Sequence, residues 1–184
     1  MSHNHIEIYD NSLNLKECEG IIDHFEQSEY KKKGIVGRKN VNKEYKESTD
    51  LQMWFNRQDL LPNRVIGKAL SIGVEKYKEK YPMLSEMSVW NVGQDYNIQK
   101  YTEGEGYYVM HCEHEHPNLD RIMAWMIYLN DAKCGTRFYY PRRDIKAKRG
   151  RLVIWPASWT HPHSGITPNR GIKYIATGWF CYVT

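Results

Sequence analysis

Little in this chain ties it to a membrane or to an oxidising compartment. Its longest apolar run, Ile122 to Leu129, has eight residues, far short of the roughly 20 that cross a hydrocarbon core as a helix. Only four of the 184 residues are cysteine, and Cys18, Cys112, Cys134 and Cys181 form no CxxC pair. That pattern argues against a disulfide framework and for reduced thiols in a cytoplasmic protein. The opening MSHNHIEIYD lacks a continuous apolar stretch, so no signal peptide is expected. Charge of one sign is also scarce. The formal net charge is +4, and Lys31, Lys32 and Lys33 form the only dense basic run, which reads as a solvated loop rather than a nucleic-acid patch. Neither nucleic acid nor membrane is an expected partner. There is no internal repeat and no HExxH motif, which turns the reading away from zincin chemistry.

Aromatic residues are plentiful at 13%, with six Trp and fourteen Tyr beside 26% charged residues. That mixture suits an ordered globular chain, and the length suits one domain over 1–184. Asn14 can cap a helix whose apolar positions Cys18, Ile21, Ile22 and Phe25 recur at helical spacing. A second helical stretch starts near Asp59, with Leu60, Leu61, Val65, Ile66, Leu70 and Val74 on one side. Residues 30–50 are polar and lysine-rich and read as a mobile loop or irregular arm. From residue 87 short β-type runs take over: Met87–Val92, Tyr96–Tyr101, Tyr107–His111, Arg121–Leu129, Thr136–Tyr140, Arg151–Trp155 and Ile172–Val183. The expected fold is mainly β with N-terminal helices. Helical support spans about 1–85, and a double-stranded β-helix (jelly-roll) core spans about 86–184.

The densest group of ligand-type side chains is Met110-His111-Cys112-Glu113-His114-Glu115-His116. On an extended strand, His111 and Glu113 point to one face, so an imidazole and a carboxylate can share a metal ion. A third ligand can come from His163, 52 residues after His111 (163 − 111), in Thr160-His161-Pro162-His163-Ser164-Gly165. Two histidines and one carboxylate, with part of the coordination sphere open, make the facial triad of non-haem Fe(II) oxygenases. The His-x-Glu spacing recurs at His5/Glu7 and His24/Glu26, so the pair alone identifies nothing.

Further pieces stand in order along the chain. After His163 come Ser164-Gly165, then Gly171-Ile172-Lys173-Tyr174 and Trp179; before it comes Gly150-Arg151-Leu152-Val153-Ile154-Trp155-Pro156. Upstream lie Tyr101-Thr102-Glu103-Gly104, Ile127-Tyr128-Leu129-Asn130 and Gly135-Thr136-Arg137-Phe138. Over about residues 90–182 this order and spacing resembles the prolyl 4-hydroxylase-like Fe(II)/2-oxoglutarate-dependent dioxygenases. In that family a Lys or Arg follows the distal histidine by ten residues, as Lys173 follows His163. The spacing and the x-Gly select His163 over His161, which reads as a neighbouring or surface residue. Two departures stand out: Glu113 where the family usually has Asp, and Cys134 where it has the first glycine of its Gly-Gly turn.

The resemblance implies iron on His111, Glu113 and His163, and a cosubstrate site of Lys173, Tyr128, Thr177 and Tyr101. It implies Fe(II), 2-oxoglutarate and O2 as cofactors, and it admits ascorbate. The reaction would be hydroxylation of an unactivated C–H bond with release of succinate and CO2. Strand parity supports the pocket, since Lys173, Ile175, Thr177 and Trp179 share one face, and Ile122, Ala124, Met126 and Tyr128 share another. The expected partner is a peptide or protein substrate carrying a prolyl residue, bound near Tyr101, Trp179 and Trp159. The same chemistry on a free amino acid would call for a second cation, from Arg38, Arg142 or Arg143. A zinc hydrolase on the His111–His116 cluster and a non-catalytic metal-binding jelly-roll module are the competing classes.

Overall fold

Asn14 opens the first helix as its short polar side chain allows. Its Oδ1 accepts from the Glu17 backbone N–H at 3.0 Å, and the Glu17 carboxylate accepts from the Asn14 N–H at 2.8 Å. This reciprocal pair is a capping box. In the computed structural model, which describes residues 4–35 and 41–183, that helix, α1, spans Leu15–Gln27 and buries Cys18, Ile21 and Phe25. Helix α2 spans Leu61–Lys80 and buries Ile66, Ala69, Leu70, Gly73 and Tyr77. Leu61, expected on that buried face, is exposed and instead lies over Gly20 of α1, where a Cβ would stand 2.5 Å from its Cδ2. Gly73 brings α2 close to the sheet, because a Cβ there would meet Leu152 Cδ2 at 2.5 Å.

The strands are β1 (Glu7–Tyr9), β2 (Lys32–Lys33), β3 (Thr49–Trp54), β4 (Trp90–Tyr101), β5 (Arg121–Tyr128), β6 (Gly135–Phe138), β7 (Arg143–Lys146), β8 (Arg151–Pro156), β9 (His163–Ile166) and β10 (Lys173–Tyr182). They form a seven-stranded sheet in the order β1-β8-β5-β10-β4-β3-β2 and a three-stranded sheet in the order β7-β6-β9, antiparallel throughout. Side-chain alternation sorts the large sheet into two faces. Leu152, Ile154, Tyr174, Ala176 and Phe180 pack with the two helices, while Val153, Trp155, Ile175 and Trp179 pack with Phe138 and Ile145 of the small sheet. The result is the expected mainly β, jelly-roll architecture with helices on one sheet.

Several elements differ from the sequence expectation. The expected strands Met87–Val92 and Tyr96–Tyr101 are one continuous strand, β4, which begins only at Trp90. Tyr107–His111 is no strand; it touches its neighbours through two isolated bridges, Lys46↔Tyr107 and His111↔His163. Part of the supposed mobile arm is built into the sheet, since β2 pairs with β3 and β3 with β4. Strands β1, β7 and β9 had no recognisable signal, being only three or four residues long. Ile122 leaves the face of Ala124, Met126 and Tyr128 for the helix-side cluster. The cause is a bulge: Phe180 pairs with Met123 but Cys181 pairs with Arg121, so the alternation breaks at Ile122.

Candidate metal centre and cosubstrate pocket

His163 begins β9 and is buried, while His111 and Glu113 lie on the irregular segment that faces it. Backbone bonds replace a strand in holding that segment. His111 and His163 exchange N–H···O bonds at 3.0 and 2.9 Å, and the Glu113 N–H donates to Ala157 O at 3.0 Å. Each imidazole uses Nδ1 on a carbonyl: His111 on Val109 O at 3.0 Å and His163 on His161 O at 3.1 Å. A carbonyl only accepts, so Nδ1 carries the proton in both rings and Nε2 is left with a lone pair. Glu113 Oε1 lies 3.6 Å from His111 Nε2 and 3.4 Å from His163 Nε2, and the three ligand atoms lie within 4.8 Å of one another.

Three lone pairs converging on one point repel unless a cation sits among them, so the donor set fits a divalent metal. The surroundings agree with that charge state. Burial, with His111 beside it, lowers the His163 imidazole below its usual range. Burial alone would raise the Glu113 carboxyl; positive charge on His111 and His163 would bring it well below the carboxylate range, and with both rings neutral a metal cation supplies that charge instead. Neutral imidazole and ionised carboxylate are the forms that coordinate. Tyr107 stacks on His111 with ring centroids 3.8 Å apart. Phe138 and Trp155 pack on His163 at 5.4 and 5.0 Å.

Beside this cluster the sheet buries a cation. Lys173, 3% exposed, sends Nζ over the Tyr101 ring at 4.4 Å, and its nearest acceptor is Ile166 O at a long 3.5 Å. No carboxylate faces it among the described residues, and burial pushes its ammonium down to about 8. Gly165 makes room for it, since a Cβ there would stand 3.6 Å from Lys173 Nζ and 3.2 Å from Tyr107 N. An unpaired buried charge is expensive; a dicarboxylate would relieve it. Tyr101 donates to Gln99 Oε1 at 2.7 Å, and Gln99 Nε2 reaches Asp50 Oδ2 at 3.0 Å. Tyr128 and Thr136 share a hydroxyl–hydroxyl bond of 2.6 Å, and the remaining hydroxyl hydrogen has only long partners, Ile145 O at 3.4 Å from Tyr128 or Met126 Sδ at 3.6 Å from Thr136. Thr177 donates to Trp125 O at 2.9 Å.

The structure thus brings together His111, Glu113 and His163, and sets Lys173 against Tyr101. His161 turns its ring away, with Nε2 on Asn4 O at 2.7 Å and Nδ1 on Thr160 Oγ1 at 2.8 Å. Trp179, expected as packing near a substrate groove, donates its indole N–H to Glu113 Oε2 at 2.7 Å. Arg121, Thr136 and Gln99 escaped the sequence reading. Arg121 Nη1 lies 3.4 Å from Glu113 Oε2, and no motif marks it. Arg38 lies outside the described residues, Arg143 is tied to Ile6 O at 3.3 Å, and Arg142 borders an open groove.

Residues 96–181 match the family model described as the 2OG-Fe(II) oxygenase superfamily. The chain carries a 2OG-Fe(II) oxygenase domain. The oxygenase is a 2-oxoglutarate-dependent dioxygenase, and its cofactors are Fe(II), 2-oxoglutarate and O2. No curated protein matches by sequence, but solved structures do by fold. A Trichoplax adhaerens prolyl hydroxylase in complex with a hypoxia inducible factor peptide fragment superposes with a TM-score of 0.75 at 14% identity, over 97% of this chain and 84% of that one. A collagen prolyl hydroxylase of Paramecium Bursaria Chlorella virus-1, complexed with 2-oxoglutarate, gives 0.67 at 22% identity over 97% of both chains. The carbocyclase SnoK of nogalamycin biosynthesis gives 0.69 at 10% identity, over 97% and 80%. At these identities the likeness establishes the fold alone. No described helix of the oxygenase is long and apolar enough to cross a membrane.

Proposed function

We propose that the oxygenase hydroxylates a prolyl residue in a peptide or protein. In this reading iron is held by His111 Nε2, Glu113 Oε1 and His163 Nε2, and the far carboxylate of 2-oxoglutarate by Lys173. The observation that carries it is the buried Lys173 ammonium, without an anionic partner among the described residues and lying against β9 two to three residues beyond His163. Fe(II) with 2-oxoglutarate and O2 supplies the oxidant that takes hydrogen from an unactivated C–H bond. The chain's own part is to fix the ligand atoms, neutralise the cosubstrate and exclude water. Tyr101 offers its ring face to the Lys173 ammonium. The second hydroxyl hydrogen of the Tyr128–Thr136 pair can serve the same carboxylate by turning from its long bond to Ile145 O or Met126 Sδ, and Thr177 can join them if its hydroxyl turns from Trp125 O. No side chain has to act as acid or base.

The substrate reading rests on a groove of about 710 Å³ beside the triad, lined by Met110, Phe138, Tyr139, Tyr140 and Arg142 among others. Tyr139, Tyr140 and Trp159 are exposed, and Trp159 meets Tyr140 edge-on at 6.3 Å. Proline-rich segments lie ready in the polyproline II form, so flat aromatic faces bind them at small entropic cost. The prolyl hydroxylase in complex with a peptide fragment and the collagen prolyl hydroxylase, both of similar fold, support this class. A small carboxylate-bearing substrate is the second reading, favoured by Arg142, whose guanidinium has no partner among the described residues. Proline-containing peptides with Fe(II), 2-oxoglutarate and O2 should yield succinate and a product heavier by one oxygen atom. His111→Ala or His163→Ala should abolish this, and His161→Ala should retain much of it. Turnover of a free amino acid with none on any proline-containing peptide would overturn the prolyl assignment. Metal loss in His161→Ala with retention in His163→Ala would overturn the ligand set.

A further inference from the structure

We propose that Trp179 and Arg121 form a clamp that positions Glu113 as a one-oxygen metal ligand, resting on the ligand set given above. A glutamate has one more rotatable bond than an aspartate, so it presents a single oxygen reproducibly only if the other is tied down. Here Oε1 faces the two imidazoles, while Oε2 accepts from Trp179 Nε1 at 2.7 Å and meets Arg121 Nη1 at 3.4 Å. The guanidinium of Arg121 lies over the indole, its Cζ 3.4 Å from the ring centroid. One cation therefore stacks on the ring that holds the carboxylate and also reaches the same oxygen.

A sheet irregularity brings Arg121 into the clamp, and plain strand alternation brings Trp179. Simple alternation from Met123, which packs on the helix side, would turn Arg121 to the helices as well. The bulge at Ile122 reverses the parity and brings Arg121 to the face of Glu113 and Trp179. On the other side of β10 the pairing with β4 shifts between Gly178 and Phe180, so Trp179 has no partner in β4. The bulge thus re-aims Arg121, whereas Trp179 keeps the face that alternation along β10 gives it. Trp179 and Arg121 touch Glu113 and no other ligand atom, which makes them positioning residues.

The test uses Co(II) binding to the full chain, read as affinity and as the visible d–d spectrum, together with the thermal melt of the metal-free protein. Trp179→Phe keeps an aromatic ring at this position and deletes the indole N–H together with the smaller ring. It should lower Co(II) affinity by about 10–100-fold, the usual cost of losing a partner of a metal ligand. It should also change the spectrum, while the metal-free protein still folds and melts in one cooperative step. Arg121→Gln should act in the same direction, and Glu113→Asp should lose affinity by itself. Adding Trp179→Phe to Glu113→Asp should then cost little more, because contacting residues are not additive. A wild-type affinity and spectrum in Trp179→Phe, or fully additive losses in the double variant, would overturn the clamp alone. A wild-type spectrum in Glu113→Ala would overturn the ligand reading beneath it.

Discussion

Lys173 combines burial and positive charge with the absence of a facing carboxylate among the described residues, and this gives it a pH signature. Its ammonium loses the proton near pH 8 in the folded chain, whereas an unfolded lysine holds it to roughly 10.4. Between those values the unfolded state binds more protons. Without cosubstrate, stability should therefore rise with pH from about 8 upward, and the full cost of the buried charge applies below 8. Cosubstrate affinity should run the other way. It should be level below pH 8 and weaken above it, by up to about tenfold per unit, when 2-oxoglutarate is titrated into the Mn(II)-loaded protein. Lys173→Arg removes the titration and should flatten the profile; Lys173→Ala should cost about 2–5 kcal/mol of binding at neutral pH. A wild-type profile that is already flat from pH 7 to 10 would detach Lys173 from the cosubstrate.

At the scale of elements, the arm from residue 41 to β3 is tied by hydrogen bonds to the residues that surround Lys173. Lys46 and Asp50 form an ion pair of 2.6 Å with both side chains largely buried. Asp50 also accepts from Ser48 at 2.7 Å and from Gln99 at 3.0 Å. Through Gln99 and Tyr101 this pair reaches the face on which the Lys173 ammonium rests. Removing one partner of a buried pair leaves the other charge stranded. Asp50→Ala should thus lower unfolding stability by about 3–5 kcal/mol in urea melts and weaken 2-oxoglutarate binding as well. A stability loss with unchanged cosubstrate affinity would mean that the network only braces the sheet. Thr49-Asp50-Leu51-Gln52-Met53-Trp54 does carry a period of two, with Leu51 and Met53 buried and Gln52 and Trp54 exposed. The polar, lysine-rich run before it masked that signal.

For the whole molecule, the seven-stranded sheet separates support from chemistry. The helix-side cluster holds Phe25, Ile66, Leu70, Trp125 and Ile127. The opposite face holds Tyr101, Tyr128, Phe138, Trp155 and Ile175 around the metal centre. Distant core sites act independently, so Phe25→Ala should cost about 3–5 kcal/mol of stability. It should leave Co(II) affinity at its original value when measured well below the melting point. A parallel loss of affinity would show that the helices tune the site through the sheet.

The sequence by itself determined the parts whose physics is local or periodic. Asn14 and Glu17 cap α1 because three residues set that geometry, and strand parity placed Lys173, Ile175 and Trp179 on one face. The spacing of His111, Glu113, His163 and Lys173 was legible because the family motif keeps it along the chain. Tertiary structure alone decided the rest. The bulge that turns Arg121 over depends on how β5 meets β10. The clamp on Glu113 joins side chains 66 residues apart in sequence. The burial of Lys46 requires a partner strand, and the segment that bears His111 and Glu113 is held by backbone bonds to β9 and Ala157. Hydrogen bonds and ion pairs between distant residues leave no period in the chain, so only the folded molecule reveals them.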